Sequence, residues 1–160
     1  MADTSITEPA PRAAAGIAGF RNRDRFIEAM RAEFGTDIPT SPRFIQSGDV
    51  TLSCLGPARY LATAPKTVDL HGRLSKALDG IAAITEQSDL WTLFALSGEH
   101  VRDTLARVVP IDLDPAKFRV GDLALTRGGH LDVRLWRLGD ESYEIAVARS
   151  YKEDLRHLMG

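Results

Sequence analysis

Residues 90–122, LWTLFALSGEHVRDTLARVVPIDLDPAKFRVGD, decide how this chain folds. The near-continuous apolar run Leu90–Leu96 is too short for a typical helix and rich in aromatic side chains, which predicts a buried strand. Ser97-Gly98 turns the chain, and Ser97 is expected to cap the helix that follows. Val101, Leu105 and Val108 recur at helical spacing and mark that helix's inner face. Pro110 ends it, because proline has no N–H for the ladder and pushes Val109 toward extended backbone. Asp114-Pro115 predicts a second cap with proline at the first helical position, so a short turn carries Phe118 inward. Nothing in this unit is arranged as a nucleophile, a metal cage or a phosphate cradle.

The stretch belongs to a chain of 160 residues, 44% hydrophobic and 26% charged. Those values suit one domain with a real core and argue against global disorder. A formal net charge of −2 leaves no electrostatic footprint for nucleic acid or an anionic membrane. Cys54 is the single cysteine, so no intramolecular disulfide can form, and its strand-like surroundings suggest a small buried hydrophobe. No apolar run reaches the roughly 20 residues of a membrane helix. The opening MADTSITEPAPRAAAGIAGF lacks a basic start and an unbroken apolar block, so a secretory signal is not expected and the expected location is cytoplasmic.

Working outward, residues 1–20 are rich in Ala, Pro, Gly and Thr and are expected to form a flexible N-terminal arm, with residues 21–160 forming the domain. Phe26, Met30 and Phe34 at four-residue spacing predict a helix over Arg23–Phe34, closed by Gly35. Phe44–Gln46 and Val50–Leu55 read as strands around Ser47-Gly48-Asp49, and Tyr60–Ala64 as a third. Leu70, Leu74 and Leu78 mark a second helix ending at Gly80, with Ile81–Ile84 the next strand. Gly128-Gly129 predicts a hairpin between Leu123–Thr126 and Leu131–Leu138. The second of these alternates, with Leu131, Val133 and Leu135 on one face and Asp132, Arg134 and Trp136 on the other. Tyr143, Ile145 and Val147 form a last strand. Ser150 and Glu153 read as a capping box for a closing helix whose inner face would be Tyr151, Leu155 and Leu158. Short strands, tight hairpins and interposed helices give an α+β fold with a largely antiparallel sheet and packed helices.

Candidate chemistry is thin. His71, His100, His130 and His157 are scattered without ligand spacing, which argues against a zinc site. Ser97-Gly98 lies at a strand-to-helix corner, but a nucleophile elbow needs glycine two residues either side of the serine, where Ala95 and Glu99 stand. Asp112 and Asp114 could pair as acid and base on an extended segment, although Asp before Pro is more often a turn residue. No catalytic, cofactor-binding or metal-binding residue is therefore assigned. Asp132, Arg134 and Trp136 share one strand face, with Arg149 close by in sequence. Trp and Arg are the usual anchors of protein contacts, so these four residues are the expected interface.

Several segments resemble a known family. LSG at 96–98 followed by an Arg-bearing helix, then PIDLDP, a Phe and RVGD, is similar to the gamma subunits of bacterial heterotetrameric sarcosine oxidases. VRLWRL at 133–138, YEIAVARSYKEDLRHLM at 143–159 and LGPARYLATAP at 55–65 resemble the same family, and the likeness covers roughly residues 24–160. It implies part of the folate-binding fold of the glycine-cleavage aminomethyltransferase. It also implies a non-catalytic role beside alpha, beta and delta subunits in a complex that oxidises sarcosine to glycine. There the methyl carbon passes to tetrahydrofolate or leaves as formaldehyde. In that setting FAD, FMN, NAD, tetrahydrofolate and zinc belong to other subunits, and this chain binds none. The aminomethyltransferase pattern has two consecutive Asp after its glycine hairpin. Here Asp132 is followed by Val133, which weakens the alternative of a free-standing folate-dependent transferase. The gamma subunit of a related N-methyl-amine dehydrogenase is the other alternative.

Overall fold

The structure, a computed structural model, describes residues 4–20 and 22–160. In chain order its elements are β1 (Ser5–Thr7), β2 (Arg12–Gly19), α1 (Arg23–Phe34), β3 (Phe44–Ser47), β4 (Val50–Gly56), β5 (Arg59–Pro65) and α2 (Leu70–Ala77). There follow β6 (Ala82–Glu86), β7 (Trp91–Ser97), α3 (Val101–Ala106), β8 (Leu123–Gly128), β9 (Leu131–Gly139), β10 (Ser142–Ala148), a 3₁₀ turn over Arg149–Tyr151 and α4 (Lys152–Met159). The chain divides into two compact units, one of residues 11–88 and one joining the chain up to Ala10 with residues 89–160. Each holds a five-stranded sheet, in the orders β3-β4-β5-β2-β6 and β1-β7-β10-β9-β8. The paired strands run antiparallel throughout. The α+β reading with antiparallel sheets therefore holds.

In the unit of residues 11–88, α1 forms where the spacing places it. The Asn22 side-chain oxygen accepts hydrogen bonds from the amides of Asp24 and Arg25 at 3.0 and 3.1 Å, satisfying two otherwise orphaned donors. Gly35 closes the helix at φ 68°, a left-handed conformation that costs glycine little. Phe26, Met30 and Phe34 face inward and meet Leu52, Cys54, Tyr60, Leu70, Leu74 and Leu78. Each fully buried side chain of this size contributes about 1.5–3 kcal/mol relative to exposure. The Tyr60 hydroxyl donates to the Pro39 carbonyl at 2.7 Å. Burial pushes this phenol well above its ordinary range, with Cys54 beside it adding to the shift.

The segment expected to be a mobile arm is ordered into strands. Residues 1–3 lie outside the described residues, but β1 pairs with β7, and β2 is hydrogen-bonded between β5 and β6. Composition misleads here because small side chains bury little area, which normally fails to offset ordering entropy. An interior strand gains ladder bonds on both edges instead, and Ala13, Ala15 and Ile17 are buried in the core of this unit. A Cβ on Gly19 would lie 2.8 Å from the Phe26 ring. The single domain expected over residues 21–160 is likewise divided, since residues 11–88 and 89–160 fall in different units.

In the other unit, Phe94, Leu96, Leu131, Val133, Leu135, Tyr143, Ile145 and Val147 supply one sheet face of the core. Val101, Leu105, Phe118, Leu155 and Met159 pack on it. The capping expectations fail at two places. Ser97 is the last residue of β7 rather than a cap, because Gly98 at φ 127° redirects the chain and His100 occupies the N-cap position without a side-chain bond. Ser150 falls inside the 3₁₀ turn, so α4 begins after Tyr151 with no side-chain cap. Leu155 is buried as expected, Met159 is buried beside it, and Tyr151 and Leu158 are exposed instead of facing inward.

Tyr143 is fully buried, stacked on Phe118 at 6.4 Å between centroids, and its hydroxyl has no hydrogen-bond partner among the described residues. A buried unsatisfied hydroxyl costs roughly 1–3 kcal/mol. Tyr143→Phe is therefore expected to leave stability unchanged or raise it by about 1 kcal/mol in urea unfolding. A loss above about 1 kcal/mol would show that this hydroxyl has a partner of value.

Candidate functional site

The four residues singled out for contact lie on β9 and just after β10, and the structure treats them differently. On β9 the alternation puts Asp132, Arg134 and Trp136 on the face opposite the core. That strand is interior to its sheet, flanked by β8 and β10, so its side chains have neighbours on both sides. Trp136 lies in register with Leu123 and Glu144 and is only 6% exposed. Trp136, expected as an interface anchor, is thus already buried and offers a partner little surface. Asp132 faces Arg127 at 3.6 Å, while the Arg134 guanidinium lies 3.9 Å above the Trp91 ring. Such stacking is worth on the order of 0.5–2 kcal/mol and holds both groups in a fixed pose.

Around that stack the surface stays open. Leu90 is 54% exposed, Trp91 is half-buried, and Leu125, in register with Arg134, is exposed. Ala148 pairs with Trp91, which places Arg149 at the same end of the sheet. The Arg149 guanidinium reaches Asp89 at only 4.0 Å, with both side chains well exposed, so the pair is held weakly. Asp132, Arg134 and Arg149 are therefore brought to one region, where Trp91 is the aromatic side chain stacked on Arg134. The missing signal was register. Only the pairing of β7 with β10 and β10 with β9 puts Trp91 beside Arg134.

Sequence reasoning also passed over Arg137. It lies on the core side of β9, 3% exposed, with its guanidinium donating to three carbonyls. The distances are 2.8 Å to Phe118, 3.2 Å to Gly139 and 3.4 Å to Asp140. Its backbone also exchanges bonds with the same loop, accepting from Gly121 and donating to Asp122. Arg137 thus fastens the Pro110–Asp122 exit to the sheet.

The remaining chemical candidates resolve as structural groups. Asp112 accepts from the Asp114 amide at 3.0 Å and faces Lys117 at 3.1 Å, and those two partners hold its carboxyl below the ordinary range. Asp114 accepts from the Ala116 amide at 2.8 Å, the bond of an Asx turn. Both carboxylates serve the turn that sends Phe118 inward. Among the described residues no group of three or more His, Cys, Asp or Glu side chains is placed to hold a metal ion. No helix among them is long and apolar enough to cross a membrane.

Comparison with known proteins meets this geometry from another direction. The family described as sarcosine oxidase, gamma subunit, matches residues 19–159. The sarcosine oxidase subunit gamma of Corynebacterium sp. (strain P-1) is 30% identical over 155 residues, spanning 94% of this chain and 72% of that protein. Its counterpart from Arthrobacter sp. is also 30% identical, over 159 residues and with the same coverage. Among solved structures, a chain of the heterotetrameric sarcosine oxidase from Corynebacterium sp. U-96 superposes with a TM-score of 0.87. It has 24% identity, across 98% of this chain and 81% of that one. The glycine cleavage system aminomethyltransferase T from Bartonella henselae gives a TM-score of 0.68 at 15% identity. That match spans 98% of this chain and 45% of that one, and it shows a shared fold alone. A match over nearly the whole length, with relatives at this identity and coverage, is decisive: the chain belongs to the sarcosine oxidase gamma subunit family.

Proposed function

We propose that this chain is a non-catalytic subunit of a cytoplasmic heterotetrameric complex of the sarcosine oxidase type. In this reading it supports alpha, beta and delta partners that carry FAD, FMN, NAD, tetrahydrofolate and zinc. The observation that carries the reading is the family match over residues 19–159. A second supports it: the surface around the Arg134–Trp91 stack combines an ordered aromatic, an exposed Leu90 and the weakly held Arg149, the composition of a contact face. Asp132, Arg134 and Arg149 are the proposed polar contacts, with Trp91 as the aromatic anchor and Trp136 fixing the strand beneath them.

The test is co-expression with the other three subunits and affinity purification through a tag on this chain. The wild type should bring its partners down. Arg149→Glu reverses an exposed charge and should weaken recovery by about tenfold or more, the effect of losing an interfacial hot-spot contact, with an unchanged melting temperature. Full recovery with Arg149→Glu and Trp91→Ala together would remove this face from the interface. Recovery of no partner by the wild type would end the subunit reading. The shared fold with aminomethyltransferase T gives the transferase alternative its own readout. A functional folate site should stabilise the isolated chain by about 2–4 kcal/mol at saturating reduced folate, and Asp132→Ala should abolish that gain.

A further inference from the structure

The chain up to Ala10 packs with residues 89–160, although the residues that follow it, 11–88, form a compact unit of their own. Its hold on β7 is slight. Among the described residues, only Ser5, Ile6 and Thr7 pair with Ser97, Leu96 and Ala95, and β1 is an edge strand. Ile6 is half-buried against the core, and the Thr4 and Thr104 hydroxyls lie 2.9 Å apart. Glu8 meets Lys152 at 2.9 Å and Arg156 at 3.3 Å, an ionic clasp open to solvent. A surface hollow of about 270 Å³, lined by Ile6, Thr7, Glu8, Phe94, Arg156 and Gly160, leaves the end of the segment under-packed. Beyond it, Glu8-Pro9-Ala10-Pro11 leads to β2 at Arg12. Pro9 has no N–H to donate to a ladder, so pairing with β7 stops at Thr7.

We propose that residues 4–8 are an exchangeable strap, able to leave β7 of their own molecule and pair with β7 of a second copy. The occupant is set by fit. Every copy carries the same three-residue register, the same threonine pair and the same ionic clasp, so exchange remakes each contact and changes only the short proline hinge. Swapping an identical element in this way is a low-cost route to a dimer. Release also uncovers the β7 edge, whose unpaired backbone groups favour taking up another strand. The inference concerns the isolated chain and does not depend on the subunit reading.

Thr7 and Ala95 face each other across the ladder, and the native Cys54 is buried. The full-length variants Thr7→Cys and Ala95→Cys are mixed at high protein concentration and oxidised mildly. Exchange predicts a disulfide-linked heterodimer, more abundant at higher concentration. Adding Glu8→Gln or raising the salt to about 0.5 M should increase it roughly two- to fivefold, in line with the small worth of exposed ion pairs. A Thr7→Cys and Asp79→Cys mixture measures random collision, because Asp79 is an exposed position in the other unit. A yield no higher than in that control, at every salt concentration, would overturn the proposal. So would a non-covalent dimer that still forms from a single chain bearing both Thr7→Cys and Ala95→Cys after it is locked by oxidation at high dilution, since that disulfide leaves no strap free to exchange.

Discussion

Replacing Arg137 with Met is expected to lower unfolding stability by about 3 kcal/mol, despite preserving most of the side chain's length and apolar stem. The guanidinium is buried and donates to the carbonyls of Phe118, Gly139 and Asp140, the first of these inside the core. Methionine fills the space but leaves those oxygens without their donor, and an unsatisfied buried carbonyl costs more than a made bond yields. Lysine should recover little, since one ammonium cannot reproduce a planar fork aimed at three acceptors. The Arg137–Asp140 ion pair is not the source of this effect. At 3.6 Å, with a nearly fully exposed carboxylate, it is weak, and Asp140→Asn should change stability by less than about 0.5 kcal/mol. Urea titration with an unchanged m-value separates these cases. A Met variant within about 1 kcal/mol of wild type would mean that the loop is held by something else.

Gly19→Ala is expected to cost about 1–3 kcal/mol, a large effect for one methyl group. The new Cβ would sit 2.8–2.9 Å from atoms of the Phe26 ring, and that ring is 2% exposed, enclosed by α1 and the sheet. A rigid buried ring cannot swing aside, so strand or helix must move. Gly16→Ala on the same strand is the control. There the obstruction is the far end of the Gln87 side chain, which can rotate away, and the loss should be under about 1 kcal/mol. Equal losses at both positions would point to the propensity of the strand rather than to helix–strand packing.

These two residues also mark where sequence reading reaches and where it stops. The helix carrying Phe26, Met30 and Phe34 was legible because its signal is local: a repeat of four, a cap and a closing glycine. The hairpin at Gly128-Gly129 was legible for the same reason, with Gly129 at φ 62° taking the left-handed turn position. Small residues in β2 carry no comparable signal, since what they meet, such as the Phe26 ring beside Gly19, is set by tertiary packing. Arg137 continues the inward alternation of Leu131, Val133 and Leu135 exactly two residues on, so its place was encoded. Its charge concealed it, because a buried cation is credible only once its carbonyl partners are seen. The proposed contact face is half legible. Arg134 and Arg149 stand out by residue type, but Trp91 joins them through cross-strand register, which is set by distant pairing. The caps at Ser97 and Ser150 failed because a glycine corner and a 3₁₀ turn moved the helix starts beyond their reach.

One consequence concerns the order in which the chain is made. Residues 11–88 are continuous, so that unit can close as soon as its last strand leaves the ribosome. Its companion begins with β1 yet must wait for β7 some ninety residues later, and then for β9, β10 and α4. During translation the first few residues are thus without their partner strand while a finished neighbour already trails behind them. Truncations before β10 should accordingly yield one protease-resistant fragment from the continuous segment and none from the ends.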